Sequence, residues 1–210
     1  MRAEPGCMLL GVNASRRGSV GLLLVVLVAA CSGQGSGSAG RARATAPAPA
    51  VSGPCSAAPT AAETEGPYFK AGSPERASLV QPGMAGTRLT VAGQVSRSDC
   101  SPVPGAVLDF WQANASGVYD NSGYTLRGHQ LTDAGGRYTL ETVVPGLYPG
   151  RTEHIHVKVR APGRPELTTQ LYFPGVQQND RDGIFNPTLV MNVRDSPGDG
   201  KLATFDFVLA

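Results

Sequence analysis

His154-Ile155-His156-Val157-Lys158-Val159-Arg160 alternates apolar and polar side chains. Successive side chains of an extended strand point to opposite faces, so Ile155, Val157 and Val159 share one face, and both histidines share the other with Lys158 and Arg160. A period of two is wrong for an amphipathic helix. The same alternation, with this stretch continuing to Ala161, predicts further strands over Arg88 to Val95, Ala106 to Trp111, Arg137 to Val143, Leu167 to Phe173 and Thr204 to Leu209. In Leu167 to Phe173 it leaves Gln170 and Tyr172 on the face opposite Leu167, Thr169, Leu171 and Phe173. Gly, Pro, Asn and Asp clusters separate the strands, and no segment carries a convincing helical period or an internal repeat. Short strands of this kind bury their apolar faces by packing two sheets together, which predicts an all-β sandwich.

Upstream, Arg16 and Arg17 precede Gly18-Ser19 and an apolar run from Val20 to Ala30. These are the charged and apolar regions of an export signal, too short for a membrane-spanning helix. The run ends Val28-Ala29-Ala30-Cys31, which resembles the lipobox of bacterial lipoproteins. Residues 1–30 are therefore expected to be a signal peptide, with Cys31 lipidated and the chain anchored to the outer face of the bacterial cell membrane; an ordinary cleaved signal is the alternative. The paired arginines fit twin-arginine export, with general secretion as the other route. Residues 31–54 are almost all Gly, Ser, Ala, Pro and Arg, a flexible tether that cannot build a core. Residues 55–210 then suffice for one domain.

Cys7 leaves with the signal and Cys31 carries lipid, so Cys55 and Cys100 remain as an even pair, for which a structural disulfide is the default in an oxidising compartment. Of 18 basic and 16 acidic side chains, Arg2, Arg16, Arg17 and Glu4 lie in the leader, which leaves 15 of each sign. That balance gives no electrostatic footprint for nucleic acid, and lipid is the expected membrane contact.

Two histidines on one strand face can direct two imidazoles at one metal ion, a spacing used for iron, zinc and copper; a surface pair is the alternative reading. Zinc and facial-triad iron(II) sites add Cys, His or a carboxylate, and Glu153 points to the other face. Tyrosines are what the neighbourhood offers, Tyr119 and Tyr148. His129 has no ligand partner at a suitable spacing and reads as a structural hydrogen-bonder. Phe110 and Trp111 read as core, and Asn179-Asp180-Arg181-Asp182-Gly183 as a turn, since the later acidic ligand of a calcium loop is missing.

Gly117-Val118-Tyr119, Leu126-Arg127-Gly128-His129-Gln130, Thr132-Asp133-Ala134-Gly135, the run from Pro145 to His156 and Thr169-Gln170-Leu171-Tyr172-Phe173 resemble, in order and spacing, the intradiol ring-cleavage dioxygenases. Thr64-Glu65-Gly66-Pro67-Tyr68-Phe69 resembles the N-terminal signature of that family, so the likeness runs from Thr64 to Leu209. It implies a β-sandwich of the intradiol dioxygenase/transthyretin-like type. It also implies iron(III) held by Tyr119, Tyr148, His154 and His156, and ring cleavage of a catechol-type diol by dioxygen to a cis,cis-muconate-type diacid. Two phenolates and a hydroxide would cancel the three charges of the metal, which makes the ligand set tolerable in a partly buried site.

Further roles come with the resemblance. Arg151 is expected to stabilise negative charge on substrate, Tyr148 to leave the metal and accept a proton, and Gln170 to line the cavity. Gly66, Pro67 and Tyr68 are expected to bound its far side. Only five residues separate Tyr148 from His154, fewer than in cytosolic members, which predicts an open pocket and suggests the small exported branch of the family. Two readings of other classes stand beside this one: a non-catalytic transthyretin-like binding lipoprotein with the tyrosines and histidines on its surface, and a zinc hydrolase using His154 and His156.

Overall fold

A computed structural model describes residues 58–210. Cys31 and Cys55 lie outside this range, and with them the expected leader, tether and lipidation site and one half of the expected disulfide. Cys100 sits in the exposed turn that follows the first strand.

Among the described residues nine strands form two sheets: β1 (Arg88–Arg97), β2 (Val107–Trp111), β3 (Arg127–Leu131), β4 (Arg137–Val143), β5 (His154–Arg160), β6 (Leu167–Tyr172), β7 (Asn192–Asp195), β8 (Lys201–Thr204) and β9 (Phe207–Leu209). One sheet has the order β4-β1-β8-β7, with β9 also paired to β1; the other has the order β3-β2-β5-β6. The core lies between them. Val91 and Leu140 from the first sheet meet Leu108, Phe110, Ile155 and Val157 from the second, all with 0% exposure. Burying one such side chain stabilises by roughly 1.5–3 kcal/mol, and the alternation selects which face receives that gain.

The segment predicted as one strand from Thr204 to Leu209 is instead the end of β8 and the whole of β9, broken at Phe205-Asp206. Both pieces run parallel to β1, on either side of Gly93. At that point the chain approaches so closely that a Cβ on Gly93 would stand 1.7 Å from the Phe205 carbonyl oxygen. The freed amide of Gln94 is satisfied by the Asp206 carboxylate at 2.8 Å. β3 and β7 carry no strand period in the sequence, because Arg-Gly-His-Gln-Leu and Asn-Val-Arg-Asp are edge strands with little apolar alternation.

The histidine face of β5 is not a solvent face. His154, His156 and Lys158 are buried. The N-terminal segment covers them by crossing the second sheet from the β6 edge, where Glu63 N–H donates to Thr168 O at 2.8 Å, to the β3 edge, where Arg76 N–H donates to His129 O at 2.8 Å. Ser73 Oγ reaches both the Asp109 carboxylate at 2.7 Å and His129 Nδ1 at 3.1 Å, which gives His129 the structural role expected of it. Lys158 is held between Glu65 and Glu166, each at 2.7 Å, and these partners outweigh its desolvation and raise its pKa.

Candidate metal centre and active site

The strand register sets one row across the second sheet: Arg127 opposite Trp111, Trp111 opposite His156, and His156 opposite Gln170. His154 is opposite Tyr172 in the next row. Alternation therefore places both histidines and Gln170 on one face, as expected. The Nε2 atoms of His154 and His156 are 3.1 Å apart, and the Tyr119 hydroxyl is 3.2 Å from His154 Nε2. Tyr148 enters from its own loop, its ring 5.9 Å from that of Tyr119 and at 82° to it. Gly117 makes this meeting feasible. Its φ is +78°, and a Cβ there would lie 2.0 Å from the Leu147 carbonyl oxygen, so the loop bearing Tyr119 can lie directly on the loop bearing Tyr148.

His154 Nδ1 lies 2.6 Å from the Thr152 carbonyl, to which it donates, and this leaves Nε2 as a lone-pair donor, the tautomer a metal requires. Burial lowers its pKa to about 4, and His156 is held well below the ordinary value by burial and by the neighbouring His154. Both imidazoles are therefore neutral near pH 7. Burial also raises the Tyr119 phenol, so that without a cation in the site it keeps its proton. Two ligand atoms at about 2.1 Å from one ion and at right angles lie about 3.0 Å apart, close to the 3.1 and 3.2 Å between neighbouring donors here. Two imidazoles plus phenols suit a hard trivalent metal once the phenols ionise. Among the described residues no group of three or more His, Cys, Asp or Glu comes together, so the extra donor of a zinc hydrolase is missing from this face.

Trp111 is core, as expected, but it belongs to a second, smaller cluster with Ala113 and Tyr119, against which Tyr68, Phe69 and Tyr148 pack, and its indole stacks on His156. Phe110 is in the main core. Of the N-terminal signature, Gly66 faces the His156 imidazole, where a Cβ would be 3.4 Å from its Cε1. Tyr68 stacks on Tyr119 with centroids 4.5 Å apart, and its hydroxyl is 2.9 Å from that of Tyr148. Pro67 between them is exposed.

Arg151 Nη2 donates to Gln170 Oε1 at 2.6 Å and Nε to Asp182 Oδ2 at 2.8 Å. Gln170 is fully buried on the histidine face; its amide donates to Thr64 O at 2.9 Å, and its carbonyl oxygen accepts from Arg151 and from the Tyr172 hydroxyl, so it orients Arg151. Asp182 was missed. The expected turn is a short 3-10 helix, Gln177–Arg181, and Asp182 at its end accepts from Arg151, from Thr152 N–H at 2.9 Å and from Ile184 N–H at 3.2 Å. Burial alone would raise its pKa, but these three bonds outweigh it and hold the carboxylate below its usual range. Nothing in the local sequence distinguishes this aspartate from Asp180. Gly150 meets open space, as a thin wall requires.

Comparison with known proteins agrees with this fold. The family model described as Dioxygenase matches residues 64–210. Hydroxyquinol 1,2-dioxygenase of Nocardioides simplex is 32% identical over 150 residues, covering 60% of this chain and 51% of that protein. Chlorocatechol 1,2-dioxygenase of a Pseudomonas species is 31% identical over 173 residues, covering 69% and 68%. The chain thus spans about half the length of the first and two thirds of the second. Among solved structures, the dioxygenase domain of a dioxygenase carbohydrate-binding protein fusion from the cellulolytic bacterium Streptomyces sp. SirexAA-E aligns with a TM-score of 0.70 at 58% identity, covering 72% of this chain and 98% of that one. The 3-chlorocatechol 1,2-dioxygenase of Rhodococcus opacus aligns with a TM-score of 0.68 at 29% identity, covering 71% and 72%. The chain belongs to the intradiol ring-cleavage dioxygenase family.

Proposed function

We propose that the chain is an iron(III) enzyme that cleaves catechol-type diols between the two hydroxyl-bearing carbons, using dioxygen and releasing a cis,cis-muconate-type diacid. The observation that carries this reading is the convergence of two buried neutral imidazoles with the Tyr119 phenol, next to Tyr148. Tyr119, Tyr148, His154 and His156 would hold the metal. When bound, iron(III) supplies the Lewis acidity that keeps phenols ionised and lets a catechol chelate as a dianion.

The protein's own groups do the rest. A catechol that binds as a dianion would give up two protons, one to Tyr148 Oη and the other to hydroxide or water in the site. Tyr68, already 2.9 Å away, then holds the resulting phenol. Arg151 is fixed on two sides, so its positive charge needs no reorganisation as negative charge builds on the substrate. Trp111, Gly66 and Phe69 exclude water from the histidines. Exposed Gly150 leaves one wall thin, which favours a broad range of substituted catechols.

We place the enzyme outside the cytoplasm, with residues 1–30 a signal, Cys31 lipidated, residues 31–54 a tether and Cys55 bridged to Cys100. The Streptomyces relative is named as a fusion with a carbohydrate-binding protein from a cellulolytic organism, which fits an exported enzyme meeting aromatic diols from plant material. Metal analysis with a visible spectrum tests the centre. One iron per chain and a phenolate-to-iron(III) band support it, and stoichiometric zinc in a colourless protein defeats it.

A further inference from the structure

Arg127 stands at the end of the row that contains Trp111, His156 and Gln170. Its side chain is buried, 2% exposed. Among the described residues, none of the ion pairs within 4.0 Å involves it. Its bonds go to main-chain oxygens instead: Nη1 donates to Tyr68 O at 2.6 Å and Nε to Asp120 O at 3.1 Å. The carboxylates of Asp120 and Asp109 act on it only from beyond direct contact, and a fold retains a buried guanidinium bonded to main-chain oxygens where a rigid, two-pronged donor is needed.

A second observation points the same way. The preceding residue, Leu126, has φ +54°, a left-handed conformation that is unfavourable for a branched side chain. It is also buried, so the strain does not come from an unconstrained loop. Arg76 braces the same turn, donating through Nε to Arg127 O at 3.0 Å and through Nη2 to Tyr124 O. The backbone is thus bent and braced where the Arg127 side chain leaves it.

We infer that Arg127 is a positioning residue of the active site, whose guanidinium ties the main chain at Tyr68 to the main chain at Asp120 and so locks the stacked Tyr68–Tyr119 pair. Asp120 directly follows Tyr119, so the two carbonyls it grips belong to the two segments whose rings stack 4.5 Å apart. Arg127 therefore fixes the N-terminal segment over the ligand tyrosines. The kinetic part of this proposal rests on the intradiol reading, while its exchange part does not.

Arg127→Lys keeps the charge but offers one nitrogen, which reaches only one carbonyl; Arg127→Met keeps neither bond. In the full chain as purified, hydrogen exchange of residues 66–70 should accelerate by about tenfold or more in both variants, with β1 and β5 unchanged. KM for catechol should rise about tenfold while kcat stays within about threefold, because the segment contributes to ground-state and transition-state binding alike. If lysine restores both quantities and methionine does not, charge alone suffices and the clamp is overturned, as it is if exchange is unchanged in both. Should the variants not fold, the unmodified protein still decides. Phenylglyoxal should label exposed Arg137, Arg181 and Arg194 and spare Arg127, and labelling of Arg127 at the same rate overturns the proposal. A wild-type chain without iron or ring cleavage would defeat the functional reading and leave the exchange result standing.

Discussion

The indole of Trp111 lies flat against the imidazole of His156, with ring centroids 4.8 Å apart and 4° between the planes. The two residues are cross-strand partners in β2 and β5, so pairing register, not a loop, sets this contact. Phe69 packs edge-on against the indole, with centroids 4.9 Å apart and 63° between the planes. Trp111→Ala should therefore lower stability by about 3–5 kcal/mol and reduce iron per chain, with Trp111→Phe intermediate. Urea titration and metal analysis check both effects; an alanine variant with the wild-type midpoint would rule out this role.

Acid should destabilise the metal-free chain through its histidines. His154 is held at about 4 mainly by burial, against 6.5 for the unfolded residue. Between these values the unfolded chain binds protons that the folded chain refuses, so stability rises with pH through the window and is lost as pH falls from 6.5 toward 4. For His154 alone the loss is on the order of 3 kcal/mol, and His156 adds to it in the same direction. Denaturant midpoints measured from pH 4 to pH 8 should show this slope, and His156→Gln should flatten it.

Asp182 links two parts of the site. One carboxylate oxygen accepts from Arg151 Nε and from Thr152 N–H, and the Thr152 carbonyl in turn orients His154. Asp182→Ala should cost about 1–3 kcal/mol by stranding a buried amide. It should also reduce kcat/KM by about 10–100-fold, as loss of an outer-shell partner does. Asp182→Asn, which keeps an acceptor, should be milder on both counts. Equal kinetics for wild type and Asp182→Ala would show that Arg151 needs no such anchor.

The histidine face shows how far the sequence carries. Alternation in β5 and β6 correctly put His154, His156, Gln170 and Tyr172 on one side, because side-chain direction in a strand is local. What covers that side was not local. Residues 63–76 form almost no strand ladder of their own and owe their course to hydrogen bonds with β6 and β3, more than fifty residues away in sequence. The sharing of Arg151 between Gln170 and Asp182 depends on the same kind of distant meeting. Tyr119 and Tyr148 stand out in the sequence as tyrosines near the histidine pair, and a role for them comes from the resemblance of their flanking motifs.

Tyr148→Phe should retain much of its iron, since three ligands remain, yet turn over catechol at least about tenfold more slowly because the proton acceptor is gone. His154→Ala or His156→Ala should lose the metal. Steady-state rates of Tyr148→Phe equal to wild type would remove Tyr148 from the proton path while leaving its place in the site intact.

The central claim is cleavage between the hydroxyl-bearing carbons with both oxygen atoms retained. The most direct test supplies catechol and isotopically labelled dioxygen to the purified chain and identifies the product by mass spectrometry. cis,cis-Muconate carrying one labelled atom in each carboxyl group is the result this account predicts. A labelled semialdehyde, from cleavage beside the diol, would contradict it, and so would a catechol left uncleaved by a chain loaded with iron(III).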